Sequence, residues 1–190
     1  AHRCDLDTPL EETVEAFSDV VRSGRAHYWG TSMWSGAQIA EAVTFAKSNG
    51  LVAPIAEQPE YSMLRSTRVE GEILPVAAAK GVGLVAFSPL AQGMLTGKYD
   101  AGVPADSRFA NFETFKERFL TDENAARVRR LAEVADDLGV TRSQLALAWV
   151  LRQREVASVI TGATRVAQLE ENVGAAGLAL DDEALARIER

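Results

Sequence analysis

Short apolar runs that alternate with amphipathic helices constrain the fold of this chain more than any other sequence feature. Four runs of strand length lie at residues 26–31, 53–58, 82–87 and 156–161, and segments with a helical spacing of apolar residues separate them. Strands and helices that alternate in this way build parallel βαβ units, because each helix carries the chain back across the sheet. The sequence therefore predicts an α/β fold with a parallel sheet.

Capping signals mark the predicted starts of several helices. A Ser, Thr or Asp before a helical pattern accepts hydrogen bonds from N–H groups of the first turn, and a Glu or Gln three residues later completes a capping box. Pro9 would occupy the first helical position, where a missing N–H costs nothing. The predicted N-caps are Thr8, Ser35, Thr141 and Asp181.

The number of predicted strands falls short of a closed barrel. Residues 1–3 are predicted to be the tail end of one further strand, which gives four strands and a stub within 190 residues. A complete eight-stranded barrel needs about 250 residues. Four parallel strands alone leave two unpaired sheet edges. Either a second copy or an upstream half of a barrel covers these edges, or the sheet opens into a layered form, so we expect self-association through the edges.

The composition, with 47% apolar and 25% charged residues, is typical of a soluble globular protein. A formal net charge of −7 disfavours binding to nucleic acid or to an anionic membrane, and no apolar run reaches membrane-spanning length. Cys4 is the single cysteine, so no internal disulfide can form and a cytoplasmic location is expected. His2 and His27 are not spaced as metal ligands, and no metal site is predicted.

The stretch at residues 83–99, GLVAFSPLAQGMLTGKY, combines a buried strand with a glycine-rich turn. A proline ends the apolar run, and Gly93, Gly97 and Lys98 follow. A strand that ends in such a turn can bind phosphate through backbone N–H groups and a cation. An ordinary connection without a ligand is the alternative. Residues 90–121 are predicted to be one long loop, a length that is usually functional or mobile.

Residues 88–99, SPLAQGMLTGKY, resemble the loop after the seventh barrel strand of aldo-keto reductases, especially the branch that includes the potassium-channel beta subunits. The stretches AHRCDLDTPLEETVEAF, GRAHYWGTSMWS, EQPEYSML and TGATRVAQLEENVGA are similar to the same family in the same order. That family is a parallel (β/α)8 TIM barrel that reduces aldehydes and ketones with NADPH. The resemblance implies that residues 1–190 form a single domain covering about strands 4–8, with residues 90–121 lying over the cofactor.

The resemblance implies one catalytic residue within this chain. His2 matches the fourth member of the family's Tyr, Lys, Asp and His tetrad, and it would hydrogen-bond the substrate carbonyl. A polar residue near a frayed chain end is the alternative for His2. The family's Tyr, Lys and Asp come from the first half of the barrel, and no stretch of this sequence matches their motifs. We therefore expect the 190-residue chain alone to be inactive.

Three residues that follow successive strands match the family's contacts to nicotinamide. Ser32 and Gln58 would hold the carboxamide, and Phe87 would stack on the ring. The alternatives are a helix-entry turn for Ser32, a hydrogen bond to backbone for Gln58 and a core aromatic for Phe87. Met33 departs from the Asn or Arg that family members often have after the Ser, so the resemblance leaves one carboxamide or ribose contact unassigned.

The other implied cofactor contacts lie in two segments. The segment after the central strand would bind the diphosphate with the help of two cations. The start of the last strand's helix would bind the adenosine 2′-phosphate through free N–H groups and the positive end of the helix dipole. A solvated helix start, with a threonine as N-cap, is the alternative. The first segment contributes Ser88, Pro89, Leu90, Ala91, Gln92, Gly93, Lys98 and Arg108, and the second contributes Gly162, Thr164, Gln168, Glu171 and Asn172.

The resemblance thus implies an NADP-dependent oxidoreductase that reduces a small-molecule carbonyl substrate. A non-catalytic NADP(H)-binding module, or an interaction module like the channel beta subunits, is the alternative. An upstream sequence with Asp, Tyr and Lys at the family's spacing would favour the enzyme.

Overall fold

A computed structural model describes residues 1–189 as an α/β fold with one four-stranded parallel sheet. The strands are β1 Gly30–Ser32, β2 Ala56–Gln58, β3 Gly83–Phe87 and β4 Val156–Ile160. They lie in the order β1–β2–β3–β4, so β1 and β4 form the two edges of the sheet. The prediction of an α/β fold with a parallel sheet is confirmed.

Strands β1 and β2 are shorter than the apolar runs that predicted them. β1 begins only at Gly30, where the chain approaches β2 closely: a Cβ on residue 30 would lie 2.6 Å from the carbonyl oxygen of Ala56. Before that point, Trp29 turns its indole towards the next connection and donates its N–H to the carbonyl of Val52 at 2.7 Å. Trp29 therefore packs in a loop, although its β propensity favours a strand, and Tyr28 before it stays exposed.

Three predictions near the start of the chain are wrong, those for residues 1–3, for Thr8 and for Pro9. Residues 1–3 belong to no strand. Thr8 does not cap the first helix, because its hydroxyl donates to the carboxylate of Asp5 at 3.0 Å, and the N-cap position falls to Pro9. Ser and Thr hydroxyls often bond to nearby groups in turns in this way, in competition with helix capping.

The described residues divide into two compact units. The first unit comprises Ala1–Glu60, Arg65–Phe87 and Arg154–Ser158, and it contains β1, β2, β3 and the start of β4. The second unit comprises Tyr61–Leu64, Ser88–Gln153 and the residues from Val159 onward.

The first unit packs three helices with its strands. They are α1 Leu10–Arg22, α2 Gly36–Ser48 and α3 Leu74–Lys80, and α2 packs against both α1 and α3. The predicted capping box of α2 is confirmed, since Ser35 and Gln38 exchange both hydrogen bonds. A π-helical turn, Val69–Ile73, leads into α3. The buried apolar core of this unit includes Val14, Ile39, Val43, Ile73, Ala77, Leu84 and Ala86.

The second unit is mainly helical in the part of the chain that the structure describes. Its predicted capping box at Thr141 and Gln144 is confirmed, as is Asp181 as the N-cap of the last helix. The buried core includes Leu95, Phe119, Leu131, Leu145 and Trp149. The helices are α4 Arg108–Asn111, α5 Glu113–Phe119, α6 Asp122–Asp137, α7 Arg142–Leu151, α8 Val166–Val173 and α9 Asp182–Ile188, with a 3₁₀ helix at Ala91–Thr96.

Residues 90–121, predicted to be one long loop, are folded for much of their length. The 3₁₀ helix, α4 and α5 all lie within this segment. Phe109 is fully buried, and Tyr99 stacks on its ring with a centroid distance of 4.0 Å. Helices of only four and seven residues are too short to show a periodic pattern, which explains why the sequence indicated a loop.

Within residues 1–189, no helix combines the length and apolarity that crossing a lipid bilayer requires.

Candidate functional site

The predicted site residues fall in both units, and each group lies within its own unit. In the first unit, Ser32 and Gln58 lie side by side at the carboxyl ends of β1 and β2, where they are register partners. Ser32 Oγ donates to the carbonyl of Gln58 at 2.9 Å, and both residues are half-buried. The Ser32 oxygen keeps its lone pairs, so it can still accept a hydrogen bond from a ligand.

Phe87 ends β3 at the same end of the sheet. Its N–H donates to the carbonyl of Pro59 at 3.0 Å, and it forms a parallel bridge with Glu60. The side chain is half-buried, so part of the ring stays accessible. The structure therefore brings Ser32, Gln58 and Phe87 to the strand ends where parallel α/β folds bind ligands.

His2 is held through its backbone. The indole N–H of Trp34, a residue that is 1% exposed, donates to the carbonyl of His2 at 2.7 Å. One residue earlier, the amino group of Ala1 donates to the carbonyl of Gly30 at 2.7 Å. The residue at position 2 is exposed. A buried tryptophan thus fixes the backbone at His2 next to the turn that follows β1, while residue 2 itself stays exposed.

In the second unit, the chain after β3 turns through several residues with left-handed backbone conformation. The φ angle is 54° at Ser88, 48° at Ala91, 60° at Gln92 and 94° at Gly93. Such conformations are uncommon for residues other than glycine, and they persist only where the surroundings over-determine them. Here Ala91 is fully buried, and two tight hydrogen bonds close the turn: Ala91 N–H to Ser88 at 2.9 Å, and Gly93 N–H to Leu90 at 2.9 Å.

Gln92 connects this turn to a cation. Its Nε2 donates to Ser88 Oγ at 2.7 Å, and its Oε1 accepts from Arg108 Nη1 at 2.6 Å. Lys98 lies against Gly93, since a Cβ on residue 93 would be 2.7 Å from Lys98 Nζ. Both cationic residues are exposed. The structure therefore brings the eight predicted residues of this segment together as the turn at residues 88–93 with two cations beside it.

At the start of α8, Gln168 satisfies the backbone groups that the sequence predicts to be free. Its Oε1 accepts from the N–H of Thr164 at 2.8 Å, from the Thr164 hydroxyl at 3.1 Å and from the N–H of Arg165 at 3.3 Å. Arg165, not Thr164, holds the N-cap position. The amide oxygen thus occupies the place at the helix start that would suit an anion.

The other predicted residues of this segment are less engaged. A Cβ on the exposed Gly162 would meet nothing within 4 Å. Glu171 accepts a hydrogen bond from Gln144 through its backbone carbonyl at 3.1 Å, which leaves its carboxylate out of the contact. Asn172 lies one turn after Gln168 and lines an open groove of about 190 Å³.

The three tyrosines of the chain are not among the predicted site residues, and each lies in a different environment. Tyr28 precedes β1 and is 70% exposed. Tyr61 is fully buried and its hydroxyl accepts from Arg152 Nη1 at 3.2 Å. The Tyr99 hydroxyl donates to the carbonyl of Gln92 at 3.4 Å.

The sequence did not single out Glu57 or Arg68. Glu57 is fully buried in β2, and its Oε2 accepts a hydrogen bond from the hydroxyl of Thr31, its register partner. Burial raises the pKa of the Glu57 carboxyl, while the Thr31 hydroxyl, the N–H groups of Met33 and Trp34 and the Arg68 charge act in the opposite direction. The sequence signal for Glu57 was its position as a charged residue inside a strand of three residues. Charged residues are rarely fully buried unless they have a role.

Across residues 1–189, no group of three or more His, Cys, Asp or Glu side chains is arranged to hold a metal ion.

The chain is similar to known proteins over its whole length. All of it, residues 1–190, matches the aldo/keto reductase family. It is 51% identical over 177 residues to the probable voltage-gated potassium channel subunit beta of Arabidopsis thaliana and 49% identical over 177 residues to that of Oryza sativa subsp. japonica; each alignment covers 92% of this chain and 54% of the relative. A putative voltage-gated potassium channel subunit beta of Schizosaccharomyces pombe is 41% identical over 179 residues, or 92% of this chain and 52% of the relative.

The chain thus spans about half the length of these relatives. The family match extends from the first residue to the last, and it agrees with the parallel α/β sheet and with the resemblance that the sequence motifs indicated. This chain belongs to the aldo/keto reductase family.

Proposed function

We propose that this chain is the dinucleotide-binding part of an NADP-dependent aldo-keto reductase, and that it corresponds to about strands four to eight of the family's barrel. The proposed reaction is the reduction of an aldehyde or ketone to an alcohol, for which bound NADPH would supply the hydride. The observation that carries the proposal is the turn at residues 88–93, with Lys98 and Arg108 beside it.

This turn suits a diphosphate for physical reasons. Gly93 has no side chain and a φ of 94°, so the amine of Lys98 can lie against the backbone of the turn there. Lys98 and Arg108 supply positive charge, and charge-assisted hydrogen bonds to phosphate are about twice as strong as neutral ones. The turn is already closed by its own hydrogen bonds, so binding would require little ordering of the chain.

The strand ends of the first unit suit the nicotinamide. Ser32 and Gln58 would bond to the carboxamide, and Phe87 offers an aromatic face for stacking. His2 would donate a hydrogen bond to the carbonyl oxygen of the substrate, which polarises the carbonyl and stabilises the negative charge that develops on oxygen.

The start of α8 supports NADP over NAD. A 2′-phosphate would replace the Gln168 oxygen on the N–H groups of Thr164 and Arg165, where the helix dipole favours an anion. The Thr164 hydroxyl and the exposed Arg165 side chain would add a hydrogen bond and a charge. Gly162, Glu171 and Asn172 would complete the contacts to the adenosine.

The chain's own residues do not supply the family's proton donor. Protonating the alkoxide requires a tuned acid such as the family's Tyr, with its Lys and Asp partners. Tyr28, Tyr61 and Tyr99 lie in settings that do not match that role. We therefore propose that the 190-residue polypeptide binds the cofactor without turnover. A cytoplasmic location, expected from the single Cys4, is part of the same proposal.

We also propose that the chain self-associates through its open sheet edges. At the β4 edge, Ile160 is 44% exposed, and α8 exposes three further apolar side chains, Val166, Leu169 and Val173. Contiguous exposed apolar surface favours association. Size-exclusion chromatography should show species larger than a monomer, and a monodisperse monomer at all concentrations would contradict this part of the proposal.

A second candidate function is a non-catalytic NADP(H)-binding or channel-associated module. The relatives' description as potassium channel beta subunits favours it. An NADP(H)-binding module would share the dinucleotide site with the enzyme, but only the enzyme needs a proton donor.

Aldehyde-dependent oxidation of NADPH distinguishes the two candidates. We expect negligible oxidation by the 190-residue polypeptide with a broad panel of aldehydes and ketones, and activity for a longer protein that supplies the family's Asp, Tyr and Lys. Robust turnover by the 190 residues alone would contradict the missing proton donor. A longer protein with the three residues but no turnover, which still co-purifies with a potassium channel, would favour the second candidate.

A further inference from the structure

The turn that joins β1 to α2 carries a strained backbone. Met33, between Ser32 and Trp34, has a φ of 62°. A long side chain in this region needs support from its surroundings. That support comes from two sides. It matters for the candidate site because this turn contains Ser32 and also Trp34, which bonds to the backbone of His2.

On one side lies the carboxylate of Glu57. Its Oε2 accepts a hydrogen bond from the hydroxyl of Thr31, the residue before Ser32, and the nearby N–H groups of Met33 and Trp34 act to lower the pKa of the carboxyl, against the effect of burial. Its Oε1 has no hydrogen-bond partner within the described part of the chain. A fully buried carboxyl with one oxygen left over is costly to keep, so an apolar residue would be expected here unless the acceptor were needed.

On the other side lies the guanidinium of Arg68. Its Nη2 donates to the carbonyls of Trp34 at 2.8 Å and Met33 at 3.2 Å. Arg68 directly precedes the π-helical turn Val69–Ile73, and π-helical turns are frequent at functional sites. Glu72 of the same turn lies 3.7 Å from Arg68 Nε and accepts the N–H of Gly36, the first residue of α2, at 2.7 Å.

What the two side chains hold is the orientation of Trp34. Thr31, at the start of this segment, bonds to Glu57, the carbonyl of Trp34 accepts from Arg68, and the buried indole of Trp34 donates to the carbonyl of His2 at 2.7 Å. Ser32, two residues before Trp34, donates its hydroxyl to the carbonyl of Gln58 at 2.9 Å. A change in the turn would therefore move the backbone at His2 and the hydroxyl at Ser32 together.

We propose that Glu57 and Arg68 are positioning residues that hold the β1–α2 turn, so that Trp34 fixes His2 and Ser32 faces the nicotinamide end of the ligand. The inference rests on the proposed function for its ligand. The requirement at position 57 is an acceptor oxygen and not a charge, so Glu57→Gln should preserve the arrangement and Glu57→Met should lose it.

The test combines a structural and a binding measurement on the 190-residue chain. Hydrogen exchange of the Trp34 indole N–H, assigned in ¹⁵N spectra by a Trp34→Phe variant, reports on the bond to His2. The indole of Trp29, which donates to Val52, is an internal reference. Binding is titrated with NADPH and with 2′-phosphoadenosine 5′-diphosphoribose, which lacks the nicotinamide.

We expect Glu57→Met and Arg68→Met each to speed exchange of the Trp34 indole and to weaken NADPH binding by about tenfold, the scale for leaving a buried hydrogen-bonding group without its partner. Binding of 2′-phosphoadenosine 5′-diphosphoribose should stay within about twofold, because a positioning effect is confined to the nicotinamide end. Glu57→Gln and the exposed control Glu12→Gln should match the unmodified chain in all three measurements.

Unchanged indole exchange or unchanged NADPH affinity in folded Glu57→Met would overturn the proposal, and so would equal losses for both ligands. If Glu57→Met does not fold, the Arg68→Met variant decides. The Arg68 side chain is 40% exposed, so replacing it disturbs the core less than a change at the buried Glu57. If the unmodified chain binds no NADPH, the proposed function fails, while the exchange rates still decide whether the two residues hold Trp34.

Discussion

The turn at residues 88–93 and the start of α8 are both proposed to meet phosphate groups, but they are built differently. The turn contains a fully buried Ala91, closes on itself with backbone hydrogen bonds and has Lys98 and Arg108 at its side. The start of α8 is exposed, and its N–H groups already bond to the amide oxygen of Gln168. One region is preorganised, and the other must exchange an internal acceptor for a ligand.

The difference predicts how binding energy is distributed. A preorganised site loses little conformational entropy on binding, so most of its hydrogen bonds and charges contribute to affinity. A site whose N–H groups must first release the Gln168 oxygen gains only the difference in binding free energy between the phosphate and the amide oxygen. The turn should therefore supply most of the affinity, and α8 should supply the preference for NADP over NAD.

The largest expected effect comes from removing both cations beside the turn. Lys98→Met with Arg108→Met should raise the dissociation constant for NADPH on the order of a hundredfold, since two charge-assisted contacts are lost. The exposed Arg129→Met on α6 is a matched control and should change little. Calorimetric titration measures both. An effect of the double variant no greater than that of the control would remove the turn from the site.

A substitution at Gly97, between the turn and Lys98, tests whether the segment that positions Lys98 is held rigidly. Gly97 has a φ of 79°, and a Cβ there would overlap the guanidinium of Arg142, which pairs with Asp100 at 2.6 Å. Gly97→Ala should lower the free energy of unfolding by about 2 kcal/mol and weaken NADPH binding. Gly139→Ala, at a φ of 66° with nothing near its Cβ, should cost only about 1 kcal/mol and spare binding.

Urea unfolding monitored by circular dichroism gives both free energies. Equal losses for the two glycine variants would mean that the contact with Arg142 adds nothing to the strain of the backbone.

At α8, Gln168→Glu should separate the two dinucleotides. A carboxylate would bond more strongly to the N–H groups of Thr164 and Arg165 and would repel a 2′-phosphate. We expect about tenfold weaker binding of NADPH, on the scale of one charged contact, with NADH nearly unaffected. Titrating both dinucleotides provides the control within one variant. A parallel loss for NADH would show that α8 does not read the 2′-phosphate.

The smallest expected effect concerns Glu57, which is fully buried, whereas the start of α8 is exposed. Burial raises the pKa of its carboxyl in the folded state, so the protonated form is favoured there. The protonated Glu57 carboxyl stabilises the folded state fully below the ordinary carboxyl pKa of about 4.3. This stabilisation is lost as the pH rises through the raised pKa of Glu57 in the folded state.

Glu57→Gln should abolish that dependence, because the amide does not titrate. Free energies of unfolding measured between about pH 4 and about pH 8 should therefore show the unmodified chain losing stability relative to Glu57→Gln as the pH rises. A constant difference between the two proteins over this range would contradict the buried ionisable carboxyl.

Much of the fold was predictable from local sequence. The apolar runs located all four strands, and Ser35 with Gln38 and Thr141 with Gln144 correctly marked two helix starts, because capping depends on neighbouring residues. Thr8 was mispredicted because Asp5 competes for its hydroxyl. The helices within residues 90–121 are too short for their periodicity to be visible.

The site was predictable in part. The resemblance named residues at the strand ends and in the turn, and the structure brings those of each unit together. It did not indicate that Gln168 would bond to the start of its own helix, since an isolated Gln carries no signal of its partner. Glu57 and Arg68 were missed because their role depends on contacts between segments distant in sequence.

Calorimetric titration of NADPH into the 190-residue chain, first shown to be folded by circular dichroism and a dispersed NMR spectrum, is the most direct test of the dinucleotide site. Saturable binding that is tighter for NADPH than for NADH is the predicted result. A folded sample with no measurable affinity for either dinucleotide would contradict it.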